Sequence, residues 1–508
     1  MSATLPRHAK VMWSIALLAC VVLVLCALPS SSKSQFRATG GAQGAAYVKA
    51  LGGHLVEAES GRGVMPNVAR YSVRCHGGTG ASDPTEFSVD RDGRFRLEDF
   101  PSETVEVLLE FVVGEPYVRL PLLVFRHNAA TMALDSMVGP LVPVFEPGLD
   151  LRIQVTGGGS LTGRVSRAPE GLSRTAAVVA VWEPADRLDP GVAPFGQLSD
   201  GTGFRVAQLP LARECRVWLA GLHKEGLLSD YAQARVGGLG PDLTLALAES
   251  ITGRMLGATD ATVIHAVDRQ FLDASGGMGS LGRGFRPGRD GRFKLEGLAR
   301  ALHELVILRG DSAVDAIAVR VEAGAADITV RPQPRGFLRG RVLGLAPDAE
   351  AFVELWWPRG CIPLLGKRTS GGEFAFEVPL GERYSVLVRS EEVVPEVALQ
   401  EDLAPGTGLV TISLKRGLEL SAHVRDARGP VYAMASAGGI CFHAWIPTGG
   451  RMHVDGVPAG AYRVQLLSFA QAHTWFGMSN RTLLPRVESW QTPQTVVAGD
   501  AAAVIGGP

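Results

Sequence analysis

The segment RDGRFRLEDFPSETVEVLLEF, from Arg91 to Phe111, contains the pattern that decides the fold. It opens with an Asp-Gly pair, and glycine readily adopts the positive φ that a tight hairpin turn requires. Phe95 and Leu97 then alternate with polar residues, which places both on one face of a strand. A short turn and a second alternating stretch follow. The segment therefore predicts two short β-strands, each with one buried face.

The same pattern returns four more times along the chain. The later copies are DGTGFRVAQLPLARECRVWL from Asp200, RDGRFKLEGLARALHELVIL from Arg289, SGGEFAFEVPLGERYSVLV from Ser370 and GGRMHVDGVPAGAYRVQLL from Gly449. Their aligned apolar residues are spaced 109, 89, 81 and 78 residues apart: Phe95, Phe204, Phe293, Phe374 and Met452. A unit of this length is too long for a solenoid repeat and can bury a modest core of its own. The repeats therefore predict a string of small domains.

A second recurring motif opens each repeat and sets the predicted domain boundaries. It reads LGGHLV at 51–56, LTGRV at 161–165, ITGRM at 251–255, LRGRV at 338–342 and LSAHV at 420–424. The predicted domains, which we name modules 1 to 5, are residues 51–155, 158–248, 249–333, 334–416 and 417–500. The joints between them are short, for example RPQPRG at 331–336, and short joints predict a semi-rigid rod. Module 1 is enlarged by extra sequence from about Val113 to Met137.

The repeats resemble the carboxypeptidase regulatory-like domain, a relative of transthyretin-like and Cna B-type modules. Gly381 and Tyr384 in module 4, and Gly460 and Tyr462 in module 5, carry the resemblance best. It implies a β-sandwich of seven or eight strands that is common in bacterial surface proteins, with roles in scaffolding, adhesion or carbohydrate binding. It supplies no catalytic residues and does not imply peptidase activity. The predicted fold class is therefore all-β, a tandem array of about five small β-sandwich (Ig-like) domains behind one N-terminal hydrophobic helix.

The N-terminus indicates export. Arg7 and Lys10 precede an uncharged apolar run from Val11 to Leu28, which is about the shortest run that spans a bilayer. A cleaved signal peptide has the same basic start, so residues 1–28 are either a signal peptide or an uncleaved signal-anchor helix. Residues 29–50, rich in Ser, Gly and Ala, form a predicted flexible linker. The predicted location is the periplasm or surface of a bacterium, with the chain exported and membrane-anchored if the helix is uncleaved.

Charge and motifs argue against nucleic-acid binding and against the familiar catalytic centres. The net charge of −1 leaves no basic surplus to neutralise a phosphate backbone. HELVI at 303–307 lacks the second histidine of the zinc-protease motif, and the glycines from Gly277 to Gly282 lead into a hairpin instead of a helix. Asp90 and Asp92 are interpreted as turn residues. We therefore predict a non-enzymatic protein with no cofactor and no metal.

The cysteines outside the apolar run are predicted to be isolated thiols. No two stand at metal-ligand spacing, and each falls in a different module: Cys75, Cys215, Cys361 and Cys441. Such thiols behave as small hydrophobic side chains, so the stability of the modules must come from apolar cores.

A recurring tryptophan is the candidate site. Trp182, Trp357 and Trp445 each stand at the end of a predicted strand, shortly before a proline. Exposed indole rings can stack on sugars, whereas buried rings fill the end of a sandwich. Trp356 and Trp357 must point to opposite faces of their strand, and Trp357 is expected to be the more exposed of the two.

Three functions remain open at this point. The first is a non-enzymatic, exported cell-envelope protein that acts as a modular structural, adhesion or interaction rod, with an envelope protein or polysaccharide as its partner. The first alternative is a carbohydrate-binding protein that uses the strand-end tryptophans. The second alternative is an enzyme with an unrecognised site in the enlarged module 1.

Overall fold

The fold comes from a computed structural model of the chain. It describes residues 50–75, 81–101, 104–120, 123–126, 144–145, 150–166, 172, 176–183, 192–199, 202–220, 222, 227–238, 240–268, 284–310, 313–345, 349–390, 396–425, 429–446, 450–479 and 493–507. The N-terminal apolar run, most of the extra sequence of module 1 and the Gly277–Gly282 segment lie outside these residues. Within them, no helix is long and apolar enough to cross a membrane.

Modules 1 and 2 are built from strands alone in their described parts. The strands of module 1 are β1 Leu51–Glu57, β2 Val68–Cys75, β3 Thr85–Glu86, β4 Arg94–Leu97, β5 Thr104–Val112, β6 Leu123–Arg126, β7 Val144–Phe145 and β8 Asp150–Val155. They form two sheets, in the orders β4-β1-β8 and β3-β2-β5-β6-β7. The strands of module 2 are β9 Gly158–Ser166, β10 Ala177–Trp182, β11 Val192–Ser199, β12 Gly203–Pro210, β13 Glu214–Ala220, β14 Leu227–Ser229, β15 Ala232–Arg235 and β16 Asp242–Leu247. They form one eight-stranded sheet in the order β14-β16-β9-β12-β11-β10-β13-β15.

Modules 3 and 4 share a sheet. The strands of module 3 are β17 Glu249–Met255, β18 Thr262–Asp268, β19 Gly284–Phe285, β20 Arg292–Leu298, β21 Leu302–Arg309, β22 Ala313–Glu322 and β23 Ile328–Val330. Those of module 4 are β24 Arg335–Leu343, β25 Ala351–Trp357, β26 Ile362–Thr369, β27 Glu373–Pro379, β28 Tyr384–Ser390, β29 Glu396–Leu403, β30 Leu409–Ser413 and β31 Lys415–Arg416. The shared sheet has the order β19-β18-β21-β22-β27-β24-β30, and it is flanked by the sheets β20-β17-β23 and β26-β25-β28-β29-β31.

Module 5 contains the α-helix of the described chain. Its elements are β32 Leu418–Arg425, β33 Val431–Ala437, β34 Ile440–Ile446, β35 Arg451–Val457, β36 Ala461–Ser468, α1 Phe469–Ser479, β37 Gln494–Val497 and β38 Val504–Gly506. The sheets have the orders β35-β32-β38 and β34-β33-β36-β37.

One pairing pattern recurs in all five modules. In each module the first strand lies between two others. It pairs antiparallel with the strand that carries the aligned Phe or Met, and parallel with a strand near the end of the module. Each of the five also has its own cluster of buried apolar side chains. The prediction of an all-β tandem array of β-sandwich modules is therefore confirmed.

The contact between the two recurring motifs explains why both occur in every module. The aligned aromatic residue lies directly opposite the glycine of the module-opening motif, in the pairs Gly53–Phe95, Gly163–Phe204, Gly253–Phe293 and Gly340–Phe374. A Cβ built on Gly340 would lie 2.1 Å from Cζ of Phe374, so the ring lies over the bare Cα. In module 5 the pair is Ala422 with Met452. A flexible methionine leaves room for the alanine Cβ where a phenylalanine ring would not.

We expect Gly340→Ala to lower the free energy of unfolding by about 2 kcal/mol, because the added methyl group overpacks the core against Phe374. Adding Phe374→Met should recover part of that loss, since this combination reproduces the Ala–Met pair of module 5. Urea denaturation of the two single variants and the double variant measures the coupling. Strict additivity of the two losses would contradict this account.

The turns before the aligned strands have the predicted chemistry. Gly93, Gly291 and Gly372 have φ values of 79°, 78° and 72°. Asp90 Oδ1 accepts hydrogen bonds from the backbone N–H groups of Asp92 and Arg94, at 2.9 and 2.8 Å. The interpretation of Asp90 and Asp92 as turn residues is confirmed by this geometry.

The cysteines are placed as the sequence predicted. Cys215, Cys361 and Cys441 are buried thiols and Cys75 is half-buried. Burial raises the pKa of the Cys361 thiol to about 11, with a smaller opposing effect of Arg463. Burial also raises the pKa of the Cys441 thiol, so both thiols are protonated at neutral pH and pack as apolar groups.

Candidate functional site

The three candidate tryptophans are buried. Trp182 and Trp357 are 0% exposed and Trp445 is 6% exposed. Trp182 lies in the core of module 2 and Trp357 in the core of module 4. The expectation that Trp357 is the more exposed of the neighbouring pair is wrong. Sugar stacking needs an open ring face, and none of these three residues presents one.

Trp356 and Trp357 do point to opposite faces, as predicted from strand geometry. Trp357 faces inward, and its indole N–H donates to Glu382 Oε2 at 3.4 Å. Trp356 faces outward from module 4, yet it is 5% exposed because it belongs to the apolar cluster of module 5. The outward face of this strand is therefore covered by the next module.

Module 5 covers the outer sheet faces of two other modules at once. Its apolar cluster takes in Val181 and Trp218 from module 2, and Trp356, Leu387 and Val397 from module 4. Arrangements in which each module touches only its neighbours in sequence do not produce the contact between modules 2 and 5. Burying these apolar faces is a favourable term of the kind that holds a domain core together. The recurring tryptophans therefore serve packing within and between modules.

Helix α1 provides the contact between modules 5 and 2. Its N-terminus has a local capping box, in which Ser468 N–H donates to Gln471 Oε1 at 2.9 Å and Gln471 N–H donates to Ser468 Oγ at 3.3 Å. Glu183 of module 2 adds a second cap. Its Oε1 accepts a hydrogen bond from Ser468 Oγ and another, at 3.0 Å, from the backbone N–H of Ala470.

Glu183 therefore accepts a hydroxyl and an amide hydrogen bond from the start of a helix 285 residues away in the chain. Burial raises the pKa of its carboxyl group, and the hydrogen bonds from Ser468 and Ala470 oppose that rise. A carboxylate at a helix N-terminus also meets the positive end of the helix dipole. The sequence analysis missed both the helix and this residue. The Ser-x-x-Gln spacing at 468–471 was a signal for the helix, whereas nothing near Glu183 in the sequence points to it.

We expect Glu183→Ala to detach the start of α1 from module 2. Loss of a helix cap costs about 1–2 kcal/mol, so hydrogen exchange at residues 469–474 should become faster. Glu183→Gln should have a smaller effect because it keeps one oxygen acceptor. Glu115→Ala is the matched control, since Glu115 forms a half-exposed ion pair with Arg205. Unchanged exchange in 469–474 in the alanine variant would show that Glu183 does not hold the helix.

The joint between modules 3 and 4 contains an ion cluster around one buried carboxylate. Asp315 is 2% exposed, and its Oδ1 lies 2.7 Å from Arg335 Nη1 and 3.5 Å from Arg309 Nε. Both arginines also contact Glu377 of module 4, at 2.7 Å for Arg309 and 3.3 Å for Arg335. Burial raises the pKa of Asp315, against the opposing effect of the two arginines. Beside this cluster, β22 pairs in parallel with β27, from Ala313 to Glu377.

The sequence Arg-Gly-Asp-Ser begins at Arg309, a member of this cluster. The guanidinium of Arg309 is held by Asp315 and Glu377, while residues 311–312 lie outside the described chain.

The HELVI segment at 303–307 lies on strand β21. His303 Nε2 is 3.0 Å from the Ala299 carbonyl, and Glu304 is 3.4 Å from Arg320 Nε. Neither side chain is arranged as a zinc ligand.

One exposed cluster in the described chain has metal-ligand residue types: Glu419, His453 and Asp455. His453 Nδ1 lies 3.1 Å from Glu419, and its Nε2 lies 2.8 Å from Asp455. The two carboxylates therefore lie at opposite edges of the ring. This geometry suits an imidazolium that donates to both, since one ion cannot bind both ring nitrogens.

Two other histidines are placed quite differently. His443 stacks on Tyr432 at a centroid distance of 5.7 Å, and His473 of α1 lies 5.6 Å from Trp445. His443 Nδ1 and His473 Nε2 are shielded from water and have no hydrogen-bond partner in the described chain. Desolvation lowers the pKa of each to about 4. His265, at the matching strand position of module 3, is buried as well.

We expect the ring protons of His443 and His473 to titrate near pH 4, and those of His453 to titrate above its ordinary value of 6.5. Burial by itself would lower the pKa of His453, but hydrogen bonds from its ring to Asp455 and Glu419 raise it. Folding then loses stability as pH falls from 6.5 toward 4, because the unfolded chain binds protons that buried neutral histidines do not. NMR of the full chain labelled at histidine rings, with single His→Gln variants for assignment, measures all three values. Titration of His473 near 6.5 would mean that α1 is not packed against Trp445.

The comparisons with known proteins add little. No protein-family model matches the chain, and no curated protein matches it. Among solved structures, a streptococcal ancillary pilin is 11% identical, with 51% of this chain and 99% of that chain covered and a TM-score of 0.16. Two B repeat units of the collagen-binding protein Cna of Staphylococcus aureus are 11% identical, with 84% and 94% covered and a TM-score of 0.13. BcpA, the major pilin subunit of Bacillus cereus, is 9% identical, with 90% and 97% covered and a TM-score of 0.15. At these scores the similarities carry no argument about this chain.

Proposed function

We propose that this chain is a non-enzymatic structural or adhesion protein exported to the bacterial cell envelope. The observation that carries the proposal is the way the modules are joined. Modules 3 and 4 share a sheet and a buried ion cluster, and module 5 covers the outer faces of modules 2 and 4. Such joints transmit force and fix geometry, which is what a structural protein needs.

Three charged groups that lie at these joints support this role: Glu183, Asp315 and Glu354. Glu183 connects modules 2 and 5, and Asp315 connects modules 3 and 4. Glu354 is 8% exposed and pairs with Arg389 at 3.0 Å on the face of module 4 that module 5 covers. Burial raises the pKa of Glu354, and Arg389 opposes the rise. A perturbed carboxyl group often marks a catalytic cleft, but structural ion networks perturb pKa values as well.

The proposal includes the five module boundaries, the carboxypeptidase regulatory-like assignment and the N-terminal signal or anchor, all of which stay predictions. The proposed protein is a unit in which module 5 packs against module 2, whereas in a simple rod each module touches only its neighbours in sequence. That unit would stand on the predicted linker at 29–50.

Fractionation of a bacterium that expresses the full chain with a C-terminal epitope tests the location. The full chain should be in the envelope fraction and open to protease added outside the cytoplasmic membrane. A variant without residues 11–28 should stay in the cytoplasm. Recovery of the full chain in the cytoplasmic fraction would overturn the proposal.

A further inference from the structure

The outward face of the β4-β1-β8 sheet of module 1 carries a row of basic side chains. His54 lies on the central strand β1, with Arg94 opposite it on β4 and Arg152 opposite it on β8. Neighbouring strands lie about 4.8 Å apart, so the three Cα atoms span a row about 10 Å long. Arg94 and Arg152 are exposed. Neither forms a salt bridge with a carboxylate of the described chain.

Arg94 and Arg152 lie on the two strands that flank His54 and place two positive charges on one face of the sheet. The chain as a whole has almost equal numbers of basic and acidic residues, 50 and 51, so it has acidic residues to place there. Asp90, near the end of β4, is directed at backbone amides of its own turn. Two exposed guanidinium groups without a carboxylate partner among the described residues can bind an anion from outside the fold.

The basic position recurs in the other modules. The residue after the glycine or alanine of the opening motif is basic in all five: His54, Arg164, Arg254, Arg341 and His423. The last four are exposed and His54 is half-buried. In modules 1, 3 and 5 the residue opposite it on the aligned strand is also basic, in the pairs His54–Arg94, Arg254–Arg292 and His423–Arg451. In modules 2 and 4 the basic residue instead lies opposite an acidic one, in the pairs Arg164–Asp242 and Arg341–Glu373. A basic pair repeated in alternate modules matches a partner with a repeated negative charge.

We propose that the basic row of module 1, with its counterparts in modules 3 and 5, binds an acidic polysaccharide. The planar guanidinium forks of Arg94 and Arg152 match the geometry of carboxylates, which they can bind through two hydrogen bonds each. A polysaccharide with one carboxylate per sugar repeats its charge along the chain. The inference rests on the proposed envelope role and names its partner class.

Binding of the full chain, held in a nonionic detergent, to polygalacturonate tests the proposal. Arg94→Gln with Arg152→Gln should weaken binding at least tenfold and reduce its dependence on salt, because fewer charges are neutralised. The control is Arg359→Gln with Arg383→Gln, which removes two exposed arginines of module 4 and gives the same net charge. It should bind as the unaltered chain does. Amylose, a neutral polymer, should not bind.

Two results would overturn the inference. One is equal binding of polygalacturonate by both double variants, which would mean that total charge and not the row is responsible. The other is no binding of polygalacturonate together with binding of phosphatidylglycerol vesicles that depends on Arg94 and Arg152, which would assign the row to a membrane. Either result leaves the envelope role intact if fractionation supports it. Fold is checked by thermal melting, where the Arg94 and Arg152 variant should keep the melting temperature of the unaltered chain because both side chains are exposed.

Discussion

Replacing Trp357 with alanine is expected to lower the free energy of unfolding by about 4 kcal/mol, the range measured for large aromatic residues in cores. The ring is fully buried among the apolar residues of module 4, and its N–H donates to Glu382. Its removal leaves a cavity that the two flanking sheets cannot close. Urea denaturation followed by hydrogen exchange in residues 351–403 measures the loss and locates it.

Phe337→Ala is the matched control in the same module. Phe337 is 47% exposed and lies under the guanidinium of Arg339, 4.6 Å from the ring centroid. We expect less than about 1 kcal/mol for this surface change. If the two variants lose equal stability, the placement of Trp357 in the core is wrong. A sugar-binding assay cannot use Trp357→Ala as its probe, because loss of binding and loss of the module's core would coincide.

The fold was predictable because its two determining patterns are local. Alternation of Phe95 and Leu97 fixes which strand face is buried, and the Gly at 93 fixes the turn before it. The close approach of Phe374 to Gly340 adds a contact between motifs about 30 residues apart. The exception in module 5 can also be explained from the sequence, because both members of the Gly–Phe pair differ there, as Ala422 and Met452.

The candidate site was not predictable because exposure of a strand face depends on what covers it. Strand geometry correctly separates Trp356 from Trp357, but the sequence of module 4 does not show that module 5 packs against its outer face. Likewise, the capping box at Ser468 and Gln471 indicates a helix, while its second cap at Glu183 comes from a distant module. Contacts of this kind need the arrangement of whole modules, which no repeat pattern specifies.

Asp315→Ala is expected to cost about 3 kcal/mol, because removing one partner of a buried ion cluster leaves the others with uncompensated charge. Arg309 and Arg335 would then share Glu377 alone. The loss should appear at the joint, as faster hydrogen exchange in β22 and β27 with little change in module 1. The loss of stability in Asp315→Asn should lie between zero and that of Asp315→Ala, since the asparagine side-chain oxygen can still accept a hydrogen bond from Arg335.

The control is Glu296→Ala, whose exposed pair with Lys294 is worth little in solvent. Equal losses from Asp315→Ala and Glu296→Ala would mean that the cluster does not hold modules 3 and 4 together.

Hydrogen exchange in β22 and β27 of the Asp315→Ala variant also tests what makes the joint rigid. If exchange rises in β27 but β22 stays protected, module 3 keeps its own sheet and the shared sheet depends on the ion cluster. If both strands become unprotected together, the two modules unfold as one cooperative unit, which is the behaviour expected of a joint that transmits force.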